Sequence, residues 1–378
     1  MKKGVYSIIF IFCCFLFSCN RQVRQGRHHQ IEVVCVDSFL TLGDLFEDFQ
    51  FIPLENKREC MLSDVFKMIA LPEGFVIHDE SGRSNVLFFS QEGRFVHRIG
   101  DVGRKKEEYI SVDDIAVDER AKEIAVMTRG SEIKIYDYSG NYKGTMELKT
   151  DAYVNKMCRC DGGYACLLNH NAKGDSILYL YDKDGKLIGK KVPSLPMDIM
   201  VSSFVVNPLR TLGEKVLYVD FFTSMFTVVD FDNLEKSDTY QMMTDHVFIY
   251  DKEEYENNIS NYDCITSGYY MGEKVFGWMN YEKVLSYYSM DLIKDKAYVI
   301  PYYDWTPPLL SFYNGYVYTI LSQEEIFALA YPKADIITPT MEAFSNAFNL
   351  YRADFTMNSN FVILKMKPKN NVWIGEVQ

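Results

Sequence analysis

Four side chains with oxygen atoms of the kind that bind calcium lie at the starts of predicted strands: Asp113, Asp114, Asn155 and Ser203. Calcium takes several carboxylate, amide or hydroxyl oxygens at once, so these residues form a site only if the fold brings them together. The alternative is that such short side chains satisfy backbone groups at strand ends. We favour this alternative and predict no metal ion and no cofactor.

The cysteines offer a second possible metal site. Cys158, Cys160 and Cys166 lie close together in the sequence, but they lack a C-x2-C pair, and only His170 follows at ligand distance. The spacing therefore favours buried free thiols or one local disulfide over a metal centre.

Catalytic motifs are absent from the sequence. His78, His97, His170 and His246 are scattered, and neither H-E-x-x-H nor G-x-S-x-G occurs. Adjacent carboxylates such as Asp113 and Asp114 do not identify a glycosidase, because the separation that such a pair needs is not readable from sequence. We predict no catalytic residue.

Aromatic residues are better candidates for a functional site, in this case one that binds a ligand. Rigid aromatic side chains suit sugar faces and protein hot spots. They also fill the space between packed sheets, and this is the competing interpretation. The candidate ligand-binding residues are Trp305, Tyr302, Tyr303, Trp278 and Tyr270.

The first nineteen residues have the pattern of a lipoprotein signal peptide. Lys2 and Lys3 precede an apolar run over residues 5–17, and a small residue stands before Cys19. The run is too short to span a membrane stably. We expect lipidation at Cys19, with an ordinary cleaved signal as the alternative. The polar, basic residues that follow Cys19 favour the periplasmic side of a Gram-negative outer membrane.

Composition narrows the class of protein. The 378 residues carry a net charge of -12, and no basic run is longer than residues 104–106. A nucleic-acid partner is therefore not expected, because phosphate binding needs a concentrated basic surface. Aromatic residues make up 15% of the chain, which favours strands.

A repeat of about 47 residues runs through the chain. It is an apolar strand that enters a tight turn, and the positions equivalent to Gly93 are spaced by 47, 45 and 48 residues. The fourth copy has Asn233 at the glycine position, where positive φ is expected. A degenerate fifth copy lies at residues 287–291. The four clear copies are FFSQEGR (88–94), IYDYSGN (135–141), LYDKDGK (180–186) and VVDFDNL (228–234).

Each period holds three or four short strands, which is typical of propeller blades. We predict an all-β fold, a six-bladed β-propeller with four-stranded antiparallel blades over residues 49–378, after a tether and lead-in segment at residues 20–48. A β-sandwich or solenoid is the alternative. Residues 49–54 and 361–366 are expected to share the blade that closes the ring. Short helices are expected at residues 323–330 and 340–349.

The chain also resembles a known family, the six-bladed, NHL-like β-propeller lipoproteins of Bacteroides-type bacteria, over about residues 40–367. In that family the first blade ends in a glycine-rich loop that finishes with Gly-Glu-Tyr, although here RKKE replaces the usual Gly/Pro stretch. The resemblance implies a fold and a lipid anchor, and no settled activity. It rests on GDLF (43–46), FIPLE (51–55), RFVHRIGDVG (94–103) and Glu108-Tyr109.

These patterns predict a lipid-anchored, non-catalytic module of the cell envelope that binds a protein or glycan partner and touches the membrane through its lipid only. The alternative is a hydrolase or lyase with an axial, calcium-dependent site.

Overall fold

A computed structural model describes most of the chain between residues 26 and 369, and strands dominate it. The described residues are 26–80, 84–150, 153–168, 178–191, 208–212, 215–220, 224–246, 262–271, 273–303, 305–307, 311–330 and 358–369. The predicted all-β class is confirmed. The helices in these ranges are short: α1 (Leu42–Leu45), a 3-10 helix (Leu234–Lys236) and α2 (Gln323–Ala330), which matches a predicted helix. The helix expected at residues 340–349 lies outside the described residues.

Two strands, β1 (His28–Cys35) and β2 (Phe46–Pro53), precede three consecutive antiparallel sheets of four strands, in which neighbours along the chain are neighbours in the sheet. Sheet A contains β3 (Val65–Leu71), β4 (Gly74–Asp79), β5 (Asn85–Ser90) and β6 (Phe95–Arg98). Sheet B contains β7 (Asp114–Asp118), β8 (Glu123–Thr128), β9 (Glu132–Asp137) and β10 (Tyr142–Glu147). Sheet C contains β11 (Val154–Cys160), β12 (Gly163–Leu168), β13 (Leu178–Asp182) and β14 (Leu187–Lys191).

Sheet D has ten strands and consists of two antiparallel runs joined by β1. The first run is β15 (Leu209–Leu212), β16 (Lys215–Asp220), β17 (Met225–Asp230) and β18 (Asp238–Met243). The second is β19 (Cys264–Ile265), β20 (Tyr269–Met271), β21 (Lys274–Tyr281), β22 (Val284–Asp291) and β23 (Lys296–Pro301). β1 pairs in parallel with β18 on one side and with β23 on the other. Part of the segment predicted as tether and lead-in is thus a strand of the folded body.

Sheet E joins the two ends of the described chain. Its strands are β24 (Ser311–Tyr313), β25 (Tyr316–Leu321) and β26 (Val362–Pro368), and β2 pairs antiparallel with β26 at its edge. The predicted pairing of the terminal segments is confirmed. The hydrogen bonds between β2 and β26 therefore join the beginning of the described chain to its end.

The repeated motif forms the turn between the third and fourth strands of a run. Gly93, Gly140 and Gly185 have φ values of 78°, 79° and 78°, which favour glycine. Asn233 differs: its φ is -150°, and its side chain accepts a hydrogen bond from the backbone of Glu235 at the start of the 3-10 helix. The expected positive φ at Asn233 is therefore wrong. The feature that all five copies share is an oxygen-bearing side chain that accepts backbone N–H bonds within the turn, at Ser90, Asp137, Asp182, Asp230 and Asp291.

Apolar clusters fill the space between neighbouring sheets. Between sheets A and B, for example, Val76 and Phe88 pack in one cluster with Ile124 and Tyr136. A sheet that packs against an apolar cluster on each of its two faces has strands that are buried at almost every position. In β4, for example, all six residues are buried. The architecture is therefore a propeller-like arrangement of antiparallel sheets packed face to face.

Candidate axial ligand site

A cavity of about 500 Å³ lies where the first strands of the sheets meet. Within the described residues, β3 lies beside β7, β7 beside β11, β11 beside β15, β15 beside β20, and β24 beside β3. Every one of these six strands contributes side chains to the cavity wall. The cavity is thus central to the molecule and is built from positions that lie far apart in the sequence.

A buried ion pair forms the inner end of this cavity. The Lys67 Nζ atom on β3 donates to both carboxylate oxygens of Asp114 on β7, at 2.9 and 3.0 Å, and to the carbonyl oxygen of Met157 on β11, at 3.1 Å. The Asp114 carboxylate also accepts from the backbone N–H of Met157 at 2.7 Å. One lysine and one aspartate therefore connect three sheets. Pairing of this kind is what makes two buried charges tolerable.

The carboxylates that suggested a metal site bind protein donors. Asp113 accepts from the Gly130 backbone N–H at 2.7 Å and from the Tyr153 hydroxyl at 2.5 Å, while Asp114 holds Lys67. Asn155 also interacts with another group, and Ser203 lies outside the described residues. Among the described residues, no group of three or more His, Cys, Asp and Glu side chains is placed to hold a metal ion. The arrangement fits strand-end hydrogen bonding better than cation binding.

A guanidinium group belongs to the cavity wall. Arg210 on β15 lies with its charge centre 4.7 Å from the ring centroid of Tyr269 on β20, and its Nε and Nη2 atoms are buried. Burial lowers the pKa of Arg210 below its ordinary value. Tyr270 lines the cavity next to Tyr269. The wall therefore presents a positive charge beside aromatic rings.

The opposite end of the cavity carries exposed residues and two further ion pairs. Arg159 contacts Asp118 at 2.7 Å, and Arg120 contacts Asp161 at 2.8 Å. Phe312 on β24 is 39% exposed. The four charged side chains lie where the first strands of sheets B and C turn into their second strands, whereas Phe312 belongs to sheet E.

Two more titratable groups are buried beside the inner ion pair. The Nζ atom of Lys156 lies 3.4 Å from the centroid of the Phe66 ring, and burial lowers the pKa of Lys156 to about 8. His78 also packs against Phe66, edge to face, with its ring centroid 5.1 Å from that of Phe66. Burial lowers the pKa of His78 to about 4, so the imidazole is neutral at pH 7.

The predicted aromatic candidates separate into two groups. Trp278 and Tyr302 are 0% and 2% exposed and lie in one apolar cluster, against which Trp305 packs partly buried. Tyr303 is 63% exposed and meets Phe39 edge to face at 6.2 Å. Tyr270 is the one candidate that lines the cavity among the described residues. Ligand binding by any of the five stays a prediction: the structure brings Trp278, Tyr302 and Trp305 together in the apolar cluster but places Tyr303 and Tyr270 elsewhere.

The cysteines in the described residues are free thiols, as one of the two interpretations predicted. Cys158, Cys160 and Cys166 are buried, and no disulfide links the described cysteines. Burial raises the pKa of the Cys158 thiol to about 11, which makes it unreactive. Cys19 lies outside the described residues.

The loop that carries the family resemblance has a structural role. Tyr109 is buried and meets Tyr136 edge to face, and the Gly103 N–H donates to the Tyr109 carbonyl at 2.9 Å. A side chain at Gly100 would collide with the Tyr136 ring, and its φ of 66° also favours glycine. The loop seals the space between sheets A and B.

The central residues that sequence analysis missed are Lys67 and Arg210. The signal was a charge inside a short apolar strand: Lys67 interrupts VFKMIAL, and Arg210 interrupts LRTL. Such a charge must be paired or face a cavity, because an isolated buried charge is costly. The period of the repeat placed both near the start of a unit, but did not show that they face the same cavity.

The comparisons with known proteins agree with the fold. The chain aligns with the crystal structure of a Bacteroides fragilis protein described as exported, with a TM-score of 0.66 and 15% identity, over 91% of this chain and 100% of that one. BamB from Moraxella catarrhalis aligns at 0.44 with 12% identity over 72% of each chain. The WD40 repeats of RRP9 align at 0.46 with 10% identity, over 85% and 98%. The last two scores are too low to establish a shared fold. No curated protein matches the chain.

Within the described residues, no helix has the length and apolar character needed to cross a membrane. The model of the family described as domain of unknown function DUF4934 matches residues 30–367, which include β1 to β26 apart from the first two residues of β1 and the last of β26. The chain belongs to this family, the DUF4934 domain proteins.

Proposed function

We propose that this protein is an exported, non-catalytic binding module whose ligand enters the axial cavity. The observation that carries the proposal is one central cavity that is lined by strands of all five sheets, namely β3, β7, β11, β15, β20 and β24. Ligand sites are commonly concave, have volumes of roughly 300–1,000 Å³, and mix apolar walls with a few polar groups. The cavity fits this description in size and in lining.

The same proposal includes the number of blades, the lipid anchor and the class of partner. Sheets A, B, C and E and the two runs of sheet D make six blades, related to NHL-type propellers, and β2 closes the ring. Cys19 carries the lipid, residues 20–48 lead into the body, and the protein faces the periplasm from the outer membrane. The partner is a glycan or a protein of the cell envelope, of which the glycan is the one that a cavity of this size suits better.

A hydrolase or lyase has weaker support. The carboxylates nearest the inner end of the cavity, Asp113 and Asp114, already accept hydrogen bonds from protein groups. Using either as a general base or a metal ligand would break an existing network.

A glycan array tests the proposal. Thr211 is exposed and lines the cavity, so Thr211→Trp should obstruct the cavity without entering the core. We expect at least one neutral or acidic glycan to bind the mature chain, and Thr211→Trp to weaken that binding at least tenfold. Ser139→Trp, in an exposed turn of sheet B, is the matched control and should bind normally. Absence of any glycan binding, or equal binding by Thr211→Trp, would contradict the proposal.

A further inference from the structure

Lys156 on β11 is a buried amine without a counter-ion. It is 7% exposed, and its Nζ atom lies 3.4 Å from the centroid of the Phe66 ring on β3. Within the part of the chain that the structure describes, this amine forms no ion pair and no hydrogen bond. Buried charges in proteins are normally paired, because an isolated one is costly. Lys156 departs from this rule, and its position therefore favours the neutral amine over the ammonium ion.

The carboxylate that acts most strongly on Lys156 is already occupied. Asp114 accepts hydrogen bonds from the Lys67 ammonium, at 2.9 and 3.0 Å, and from two backbone N–H groups, at 2.8 and 2.7 Å. Lys67 in turn places a second positive charge beside Lys156, and Glu80 acts more weakly than either. The cluster therefore neutralises one lysine and leaves the other unpaired.

Two irregularities in strand pairing set the positions of these side chains. The register between β3 and β4 shifts between Val65 and Lys67, and the register between β11 and β12 shifts between Val154 and Lys156. Phe66 lies inside the first shift. Bulges of this kind change the direction of a side chain and are common beside active sites. The amine and the ring under it thus meet at two local departures from regular pairing.

The protonation state of Lys156 follows from these surroundings. Burial, supported by the charge of Lys67, lowers the pKa of Lys156 to about 8. At pH 7 about one Lys156 amine in ten is neutral, against fewer than about one in a thousand for a lysine with the ordinary pKa of 10.5. His78 contacts the same ring and is neutral at this pH, so it adds no charge to the cluster.

We propose that Lys156 is a nucleophilic site for small aldehydes, with which it forms an imine over the Phe66 ring. The lone pair of Nζ attacks the carbonyl carbon, and the π electrons of the C=O bond move to oxygen. Both hydrogens of the amine then leave with that oxygen as water while the C=N bond forms, so no oxidant or reductant is needed. A desolvated lysine beside another cation is an activated nucleophile, and the low exposure of Lys156 favours a small reagent. This inference goes beyond the proposed function, because Lys156 does not belong to the wall of the axial cavity.

Reductive labelling of the mature chain tests the inference. The folded protein is treated at pH 7 with a limiting amount of propanal and with sodium cyanoborohydride, which reduces each imine to a stable propylamine. Peptide mass spectrometry then identifies the labelled lysines. We expect Lys156 to be labelled at least tenfold faster than Lys143 and Lys149, which are exposed. The advantage should disappear in concentrated guanidinium chloride, because unfolding exposes the amine to water.

A variant separates the neighbouring charge from burial. Lys67→Met removes the cation and frees Asp114 to pair with Lys156, so labelling of Lys156 should slow at least threefold. Lys143→Met is the matched control and should leave the rate unchanged. In the folded wild type, labelling of Lys156 no faster than that of Lys149 would overturn the inference, and this comparison needs no variant to fold. An advantage that persists in guanidinium chloride would also overturn it, because the local sequence and not the fold would then be its source. Neither result bears on glycan binding.

Discussion

At the scale of single residues, the centre of this protein is defined by charges held inside a propeller-like fold. Lys67, Asp114, Lys156, His78 and Arg210 are all buried or partly buried. Lys67 and Asp114 neutralise each other. Lys156 lies over the ring of Phe66, and Arg210 lies over the ring of Tyr269 in the cavity wall. Buried ionisable groups reduce stability unless paired, so their presence here is better explained by function or by the specificity of packing.

His78 makes the stability of the fold depend on pH. Within the part of the chain that the structure describes, neither ring nitrogen has a hydrogen-bond partner, and burial lowers the pKa from its ordinary 6.5 to about 4. The folded state therefore resists protonation, so the contribution of neutral His78 is complete above pH 6.5 and is lost as the pH falls towards 4. The loss reaches about 3 kcal/mol, since one pKa unit is about 1.4 kcal/mol.

Chemical denaturation of the wild type and of His78→Leu between pH 4 and 7 measures this term. The free energy of unfolding of the wild type should fall more steeply with decreasing pH than that of the variant. His28→Leu, at an exposed position of β1, is the control and should follow the wild type. Parallel curves for wild type and His78→Leu would show that the imidazole is not held neutral.

At the scale of elements, β1 is the unexpected strand. It pairs in parallel with two outer strands and so joins two antiparallel runs, β15–β18 and β19–β23, into one sheet. Each run would otherwise end at an unpaired edge, which is a surface prone to aggregation. β1 covers both edges and buries Ile31 in the cluster between them.

Ile31→Ala tests the contribution of this strand. Ile31 is fully buried, and we expect the substitution to lower the free energy of unfolding by about 2–5 kcal/mol, the usual cost of such a truncation in a core. Glu32→Ala is the control on the same strand, because Glu32 is exposed and its contact with Lys296 is long at 3.6 Å. Its effect should stay within about 0.5 kcal/mol. Similar effects of the two substitutions would mean that β1 is not packed as described.

At the scale of the whole molecule, the pairing of β2 with β26 unites the beginning and the end of the described chain. Phe51 on β2 packs in a cluster that also holds Leu364 of β26 and Trp278 of β21. The closing strand therefore contacts the second run of sheet D as well as its own sheet. Coupling of this kind makes one cooperative transition the expected mode of unfolding.

Phe51→Ala should therefore destabilise the molecule as a unit. We expect a loss of about 3–5 kcal/mol, with tryptophan fluorescence and far-ultraviolet circular dichroism shifting to the same new midpoint. Gln50→Ala, at the neighbouring exposed position, should leave the midpoint almost unchanged. Separate midpoints for the two signals in Phe51→Ala would show that sheet E unfolds independently, and that closure is weaker than the packing implies.

Local patterns predicted much of this fold. Repeated motifs with glycine at positions 93, 140 and 185 predicted the tight turns, and the apolar segments between them predicted the strands, because backbone preference and strand alternation act over a few residues. The same local reasoning was wrong at Asn233, where a side-chain hydrogen bond to the start of a 3-10 helix outweighed the tolerance of asparagine for positive φ.

The amino-acid sequence by itself determined the all-β class, the repeat and the glycine turns, since each depends on residues close together or on a period that is visible along the chain. The pairing of the terminal segments was predicted for a different reason, because a propeller must close to leave no exposed edge. Only the tertiary structure decided the parallel insertion of β1, the burial of Trp278, and the placement of Arg210 and the Asp114-paired Lys67 in the wall of one cavity. The physical reason is that burial and charge pairing depend on which side chains meet across sheets, and these contacts join residues dozens to hundreds of positions apart.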